Sequence, residues 1–112
     1  MTENISKKMQ ERLAELQEFE QKIQTIAMQK HSFQAHLLEI ENALGELKDA
    51  KEAFKIVGSV VVSAEKEDLI KDLTSKKEVF DLRLDNLEKQ EKKLRDSAEK
   101  LQQEVMGAKD EK

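Results

Sequence analysis

The sequence contains no cysteine, proline, tryptophan or tyrosine, and only three glycines and four phenylalanines. Without cysteine there is no disulfide framework and no thiolate zinc site, which fits a reducing compartment. Without proline no helix need be interrupted, since one interior proline would cost a helix about 3 kcal/mol. Aromatic residues make up 4% of the chain, too few for the core of an ordinary globular domain. Long apolar runs are missing as well. The densest stretch, Ile56 to Val62, is far shorter than the ~20 residues of a membrane-spanning helix. The N-terminal residues are polar and lack the apolar core of a secretory signal. One soluble, cytoplasmic domain over residues 1–112, with no membrane contact, is the expectation.

What fills the space is charge. Charged residues make up 39% of the chain, at a formal net charge of −4. No basic stripe stands out, which argues against nucleic acid as a partner. The carboxylates are interleaved with lysines at helical spacing and read as solvated, ion-paired helix faces.

The apolar residues follow a heptad period. In the first half, position a holds Met9, Leu16, Ile23, Lys30, Leu37 and Leu44, and position d holds Ile5, Arg12, Phe19, Ile26, Phe33, Ile40 and Leu47. Only Arg12 and Lys30 are polar among them. Alternation of three and four sustained over so many turns predicts a coiled coil. The second half repeats the pattern. Position a carries Ile70, Lys77, Leu84, Glu91, Ala98 and Val105, and position d carries Leu73, Phe80, Leu87, Leu94 and Leu101. Helices are expected over about residues 5–50 and 65–107. At 1.5 Å per residue each arm would be roughly 65 Å long.

Between the arms the period changes to that of a strand. Phe54-Lys55-Ile56-Val57 and Val60-Val61-Val62-Ser63 flank Gly58-Ser59. β-Branched runs around a two-residue Gly-X turn predict a tight β-hairpin over about 54–63, with Gly58 supplying the positive φ of a type II′ turn. Ser63 is expected to cap the second helix, with Glu65, Glu67 and Asp68 at its positive end. Reflection about the turn brings Lys30 and Glu91 into adjacent layers, close enough to pair and set the register.

The hairpin register divides the side chains. Phe54, Ile56 and Val61 take one face; Val57, Val60 and Val62 take the other, joined there by Lys55. Two strands that are apolar on both faces cannot bury themselves, and both edges stay open. Each such side chain is worth about 1.5–3 kcal/mol when fully buried. Edge-to-edge joining of hairpins from several subunits, into a barrel or larger sheet, would relieve this. The fold class expected is therefore mainly α: two long helices in an antiparallel coiled coil, joined by a short β-hairpin that assembles into an intersubunit β-barrel.

Nothing in the sequence suggests an enzyme. Gly45, Gly58 and Gly107 are scattered and form no phosphate-cradling loop. His31 and His36 are five apart on a helix, roughly 140° around its axis, so they cannot share a metal and read as solvated surface residues. Ser6, Ser32, Ser75 and Ser97 sit on helical arms, and His31, next to Ser32 in sequence, is turned about 100° from it around the helix axis. A slender coiled coil also offers no concave, dry pocket in which a carboxylate pKa would shift. No catalytic residue, cofactor or metal is expected.

Helix, hairpin and helix in a short acidic chain resemble the β-type subunit of prefoldin, in an archaeal form. The resemblance covers the whole chain. It is most specific in Lys55-Ile56-Val57-Gly58, the valine-rich return strand, Ser63 before the acidic helix start, and Arg83, Leu87, Gln90-Glu91 and Leu94. One hairpin resembles the β class, whereas α-type subunits carry two. The Asp49-Ala50-Lys51-Glu52 junction departs from the pattern by lacking an obvious helix breaker.

The resemblance implies an ATP-independent holding chaperone. Two α-type and four β-type subunits would join hairpins into a barrel base, hold non-native polypeptides between coiled-coil tips, and pass them to a group II chaperonin. The candidates for client contact are Ile5, Met9, Leu13, Val105 and Met106, with Ala108 nearby, because a coiled coil frays at its open end. Methionine suits unlike apolar surfaces. Leu13 lies at position e, outside the strict seam. Met9 and Val105 sit on seam positions and could equally close the last layers of the coil. The competing reading is a structural or adaptor coiled coil that oligomerises through its hairpin without binding clients.

Overall fold

The computed structural model describes the backbone of residues 2–110 and the side chains of residues 7–107. Four elements follow one another: α1 (Thr2–Asp49), β1 (Ala53–Val57), β2 (Val60–Ala64) and α2 (Lys66–Asp110). By contacts the chain divides into one unit of Met1–Lys30 with Asn86–Lys112 and a second of His31–Asp85.

Burial along both helices follows the heptads. Every described a and d position is buried or half-buried, and in α1 only Ala43 outside the seam is less than exposed. In the first unit the buried residues are Ile26, Leu87 and Leu101; in the second they are Leu37, Ile40 and Ala53. None of these side chains is completely enclosed. Two packed helices bury a narrow stripe each, so seam residues keep an edge toward water.

The helices run antiparallel within each unit, as the cross-helix pairs show. In the first, Arg12 Nε lies 3.9 Å from Glu104 Oε2 and Lys30 Nζ lies 3.3 Å from Glu91 Oε1. In the second, Lys77 Nζ lies 3.6 Å from Glu41 Oε1. The rings of Phe33 and Phe80 meet there with centroids 5.5 Å apart, tilted by 47°. All four polar residues at seam positions (Arg12, Lys30, Lys77 and Glu91) are thus ion-paired across the seam. Each long cation lays its methylenes along the apolar stripe and turns its charge toward the rim.

The hairpin register is the one the turn dictates, with Val57 opposite Val60, Ile56 opposite Val61, Lys55 opposite Val62 and Phe54 opposite Ser63. Gly58 has φ of 62°, and no other described residue has a positive φ. One positive φ at the first turn position, and none at Ser59, is the type II′ pattern; type I′ would need two. Ser63 does not cap α2. β2 continues through it to Ala64, and the first helical bond runs from Leu69 N–H to the Glu65 carbonyl at 3.1 Å, which makes Glu65 the capping position. The extra ladder pair Ala53 with Ala64 buries Ala53 and outweighs the serine's capping preference.

The junction without a breaker also finds its explanation. α1 closes with a tightened turn in which Ala50 N–H donates to the Leu47 carbonyl at 3.3 Å. Lys66, from the start of α2, donates to the Lys48 carbonyl at 2.8 Å. A cation on an orphan carbonyl at the negative end of a helix dipole is a C-terminal cap supplied from the other arm.

Two outcomes are expected. Gly58→Val should destabilise the chain by about 1–2 kcal/mol, because a β-branched residue strongly resists the left-handed region; Gly58→Asn should cost less. Circular-dichroism melting checks both, and equal midpoints for the two variants would refute the turn assignment. At the Lys30–Glu91 pair, side chains 21% and 15% exposed make the interaction worth more than a surface bridge, about 1–3 kcal/mol on single charge reversal. The double reversal should recover most of that loss. A few tenths would remain, because Lys at 91 would face Arg95, whose Nε now lies 3.7 Å from Glu91. A double-mutant cycle with no recovery would show that the pair does not set the register.

Candidate functional site

The first candidate surface is the hairpin. Phe54, Ile56, Val57, Val60, Val61 and Val62 are all exposed, Ile56 by 75% and Val61 by 62%. The observed pairing puts Phe54, Ile56 and Val61 on one face with Ser63, and Val57, Val60 and Val62 on the other with Lys55. The sheet is two-stranded, so each strand keeps one open edge. Ala53, where the hairpin meets the helices, is the buried residue of β1. Beyond it the chain presents apolar faces and unpaired backbone groups together, the combination that invites strand pairing with another chain.

The second candidate surface is the open end of the first unit. Leu13 and Met106 are exposed, by 44% and 58%. Met9 and Val105 are half-buried at their seam positions, and Leu101 beneath them is buried. The side chains of Ile5 and Ala108 lie outside the described residues. The five proposed contacts therefore divide: two apolar groups stand free of the seam, two close it, and one is not placed. The sequence reading missed that Arg12 and Glu104 bridge the helices close to these residues. Their charges and helical spacing were visible, but a 3.9 Å contact between long exposed side chains is a matter of rotamers.

Other exposed apolar residues also went unremarked. Met28 and Leu38 on α1, and Val79 and Leu82 on α2, point away from the seam. His36 is an exposed residue whose imidazole lies flat against Phe80, centroids 5.6 Å apart and planes at 12°. Its Nδ1 is 3.8 Å from Glu39. Among the described residues no group of histidines and carboxylates could hold a metal ion, and no helix is long and apolar enough to cross a membrane.

Helix, hairpin, helix with this register and these exposed faces can be set beside known proteins. Residues 10–111 match the prefoldin subunit family. The chain belongs to that family. Among curated relatives, the prefoldin subunit beta of Archaeoglobus fulgidus is 38% identical over 100 residues, covering 87% of this chain and 86% of that one. The prefoldin subunit beta of Methanospirillum hungatei is 37% identical over 106 residues, covering 92% and 88%. The fold agrees as well. The crystal structure of the prefoldin beta subunit from Thermococcus strain KS-1 superposes with a TM-score of 0.85 at 31% identity, covering 90% of this chain and 91% of that one. The beta2 subunit from the same strain, at 20% identity and a TM-score of 0.71, shares the fold.

The two candidate surfaces of this prefoldin-family chain lie on different parts of it. One is made by ten strand residues and the other by helix ends, and no residue serves both. Charge placed at the centre of the hairpin, as in Ile56→Lys with Val61→Lys, should leave the helical signal and its melting within about 1 kcal/mol of the parent, since both positions are exposed. A large loss of helicity would mean that the hairpin side chains already support the helices within one chain.

Proposed function

We propose that the chain is a β-type subunit of an ATP-independent holding chaperone, assembling through its hairpin and binding non-native polypeptide at the open ends of its helices. The observation that carries this is the hairpin itself: six large apolar side chains exposed on two faces, beside two open edges. A surface of that kind, on a chain with charged residues at 39%, is a joining surface or an aggregation hazard. Edge-to-edge pairing into an intersubunit β-barrel removes the edges and gives one face an interior. Lys55 favours the face of Phe54, Ile56 and Val61 as the interior one, because a barrel core has no room for an unpaired ammonium. Membership of the prefoldin family supports a hexamer of two α-type and four β-type subunits.

Client binding belongs at the helix ends of the first unit. Leu13 and Met106 offer apolar contact without requiring the seam to open, and Met9 and Val105 add to it when the last turns fray. Several such ends around one base would hold a polypeptide by multivalency, each contact weak and the whole much stronger. Release would need no nucleotide, only loss of a few weak contacts, and the held polypeptide would pass to a group II chaperonin. The work is reversible binding, not catalysis, and its setting is the cytoplasm.

Mixing the chain with an α-type prefoldin subunit tests this. Light scattering should give the mass of a hexamer, and that hexamer should suppress aggregation of an unfolded protein without nucleotide. Removing residues 1–13 and 105–112 should abolish suppression and leave the hexamer intact. Ile56→Lys with Val61→Lys should abolish the hexamer. A hexamer that suppresses nothing would instead make the chain a structural coiled-coil adaptor. Loss of assembly on trimming the tips would defeat the division between joining and binding.

A further inference from the structure

We propose that the coiled-coil wall of the His31–Asp85 unit carries a second polypeptide-binding site, selective for an extended segment in which an apolar side chain neighbours a carboxylate. This builds on the client-binding reading and adds to it a place and a chemistry away from the helix ends. The site is an open groove of about 510 Å³ between α1 and α2. Its floor is made by Ile40, Leu73 and Phe80 at seam positions, and Val79, 47% exposed, forms a wall. A groove of this volume has the size of a small ligand site, enough for a few side chains and too small to seat a folded domain.

Two features give it selectivity. Phe80 is braced from both neighbouring turns of α1, by the Phe33 ring at 5.5 Å and the His36 imidazole at 5.6 Å. That bracing holds an aromatic surface in place, so an incoming apolar side chain meets it without first ordering it. The second feature is charge. Lys76 and Arg83, one heptad apart on α2, line the groove, and among the described residues neither has a carboxylate partner. The one carboxylate in the lining, Glu39, is turned to His36 Nδ1 at 3.8 Å. In a chain of net charge −4, two unpaired cations beside apolar surface form a local positive rim. Carboxylates are complementary to it, and the planar guanidinium of Arg83 can grip one with two parallel hydrogen bonds.

The test is a methyl and amide NMR titration of the full chain with two synthetic peptides. Both alternate leucine with a charged residue; one carries glutamate and the other lysine. The glutamate peptide should shift Ile40, Leu73 and Val79 and bind about fivefold more tightly than the lysine peptide, an advantage that shrinks with added salt. Lys76→Glu with Arg83→Glu should reverse the preference while leaving the helical signal unchanged. Val79→Ser should weaken both peptides. Equal shifts from the two peptides, or shifts confined to Leu13, Val105 and Met106, would overturn the groove. Its failure is separable from that of the chaperone reading. A hexamer that suppresses aggregation while the groove stays silent sinks the groove alone. A groove that selects glutamate in a chain whose hexamer suppresses nothing sinks the chaperone reading alone.

Discussion

The apolar seam between α1 and α2 is the constraint from which the rest follows. A heptad stripe gives each helix one narrow adhesive line, and each line is consumed by the other helix. Every described seam residue is withdrawn from water in part, and hardly any residue outside the seam is. Burial at this level means a long row of small gains, about 25 cal/mol per Å2 of apolar surface removed, with no dominant central cluster. The helices therefore have no spare apolar face with which to cover anything else. The hairpin and the groove of the His31–Asp85 unit stay open because the seam has already used what could have closed them.

A seam made only of leucine and isoleucine would hold two helices without caring much how they slide. The four charged seam residues supply the missing specificity. Sliding by one heptad would keep apolar against apolar but would part Lys30 from Glu91 and Lys77 from Glu41. The net gain from such pairs is small, since partial desolvation offsets most of the Coulomb attraction. Their effect is felt in the wrong registers, where Lys30 or Glu91 would stand alone while half-buried, at a cost of about 1–3 kcal/mol. The turn works toward the same end. Gly58 and Ser59 set the hairpin register, the hairpin joins the two helices, and the ion pairs confirm along the arms the alignment that the turn begins.

Most of this architecture was legible because it rests on periodicity. Thirteen a and d positions in α1, and the matching set in α2, could be written down from residue type, and the pairing of Lys30 with Glu91 followed by reflection about the turn. Ladder register and turn type were likewise readable, being local consequences of one glycine. What escaped depends on competition or on distant contacts. Ser63 has the chemistry of a cap, yet the strand claims it, because the ladder runs on to Ala64, opposite the buried Ala53. The end of α1 has no breaker in its own sequence; the lysine that caps it lies eighteen residues downstream. The Phe80 stack needs His36 to take one rotamer out of several, which residue spacing alone does not specify. At the open end exposure divides by heptad position, with Leu13 and Met106 free and Met9 and Val105 engaged in the seam.

The proposed division of labour has an energetic rationale in the hairpin. Six exposed apolar side chains, each worth about 1.5–3 kcal/mol when fully buried, hold a potential stabilisation of on the order of 5–10 kcal/mol after allowing for their present partial cover. That is comparable to the whole stability of a typical domain. A joint of that strength tolerates weak, transient contacts elsewhere, because clients can bind and leave without disturbing the base. At the open end the same reckoning gives about a third of that: two free apolar groups, Leu13 and Met106, worth on the order of 1.5–3 kcal/mol together. Strong where subunits would meet and weak where a client would sit is the gradient a reversible holder requires. The heptad pattern produces it by leaving the hairpin without a core while Met9, Leu101 and Val105 occupy the seam beside the two free groups.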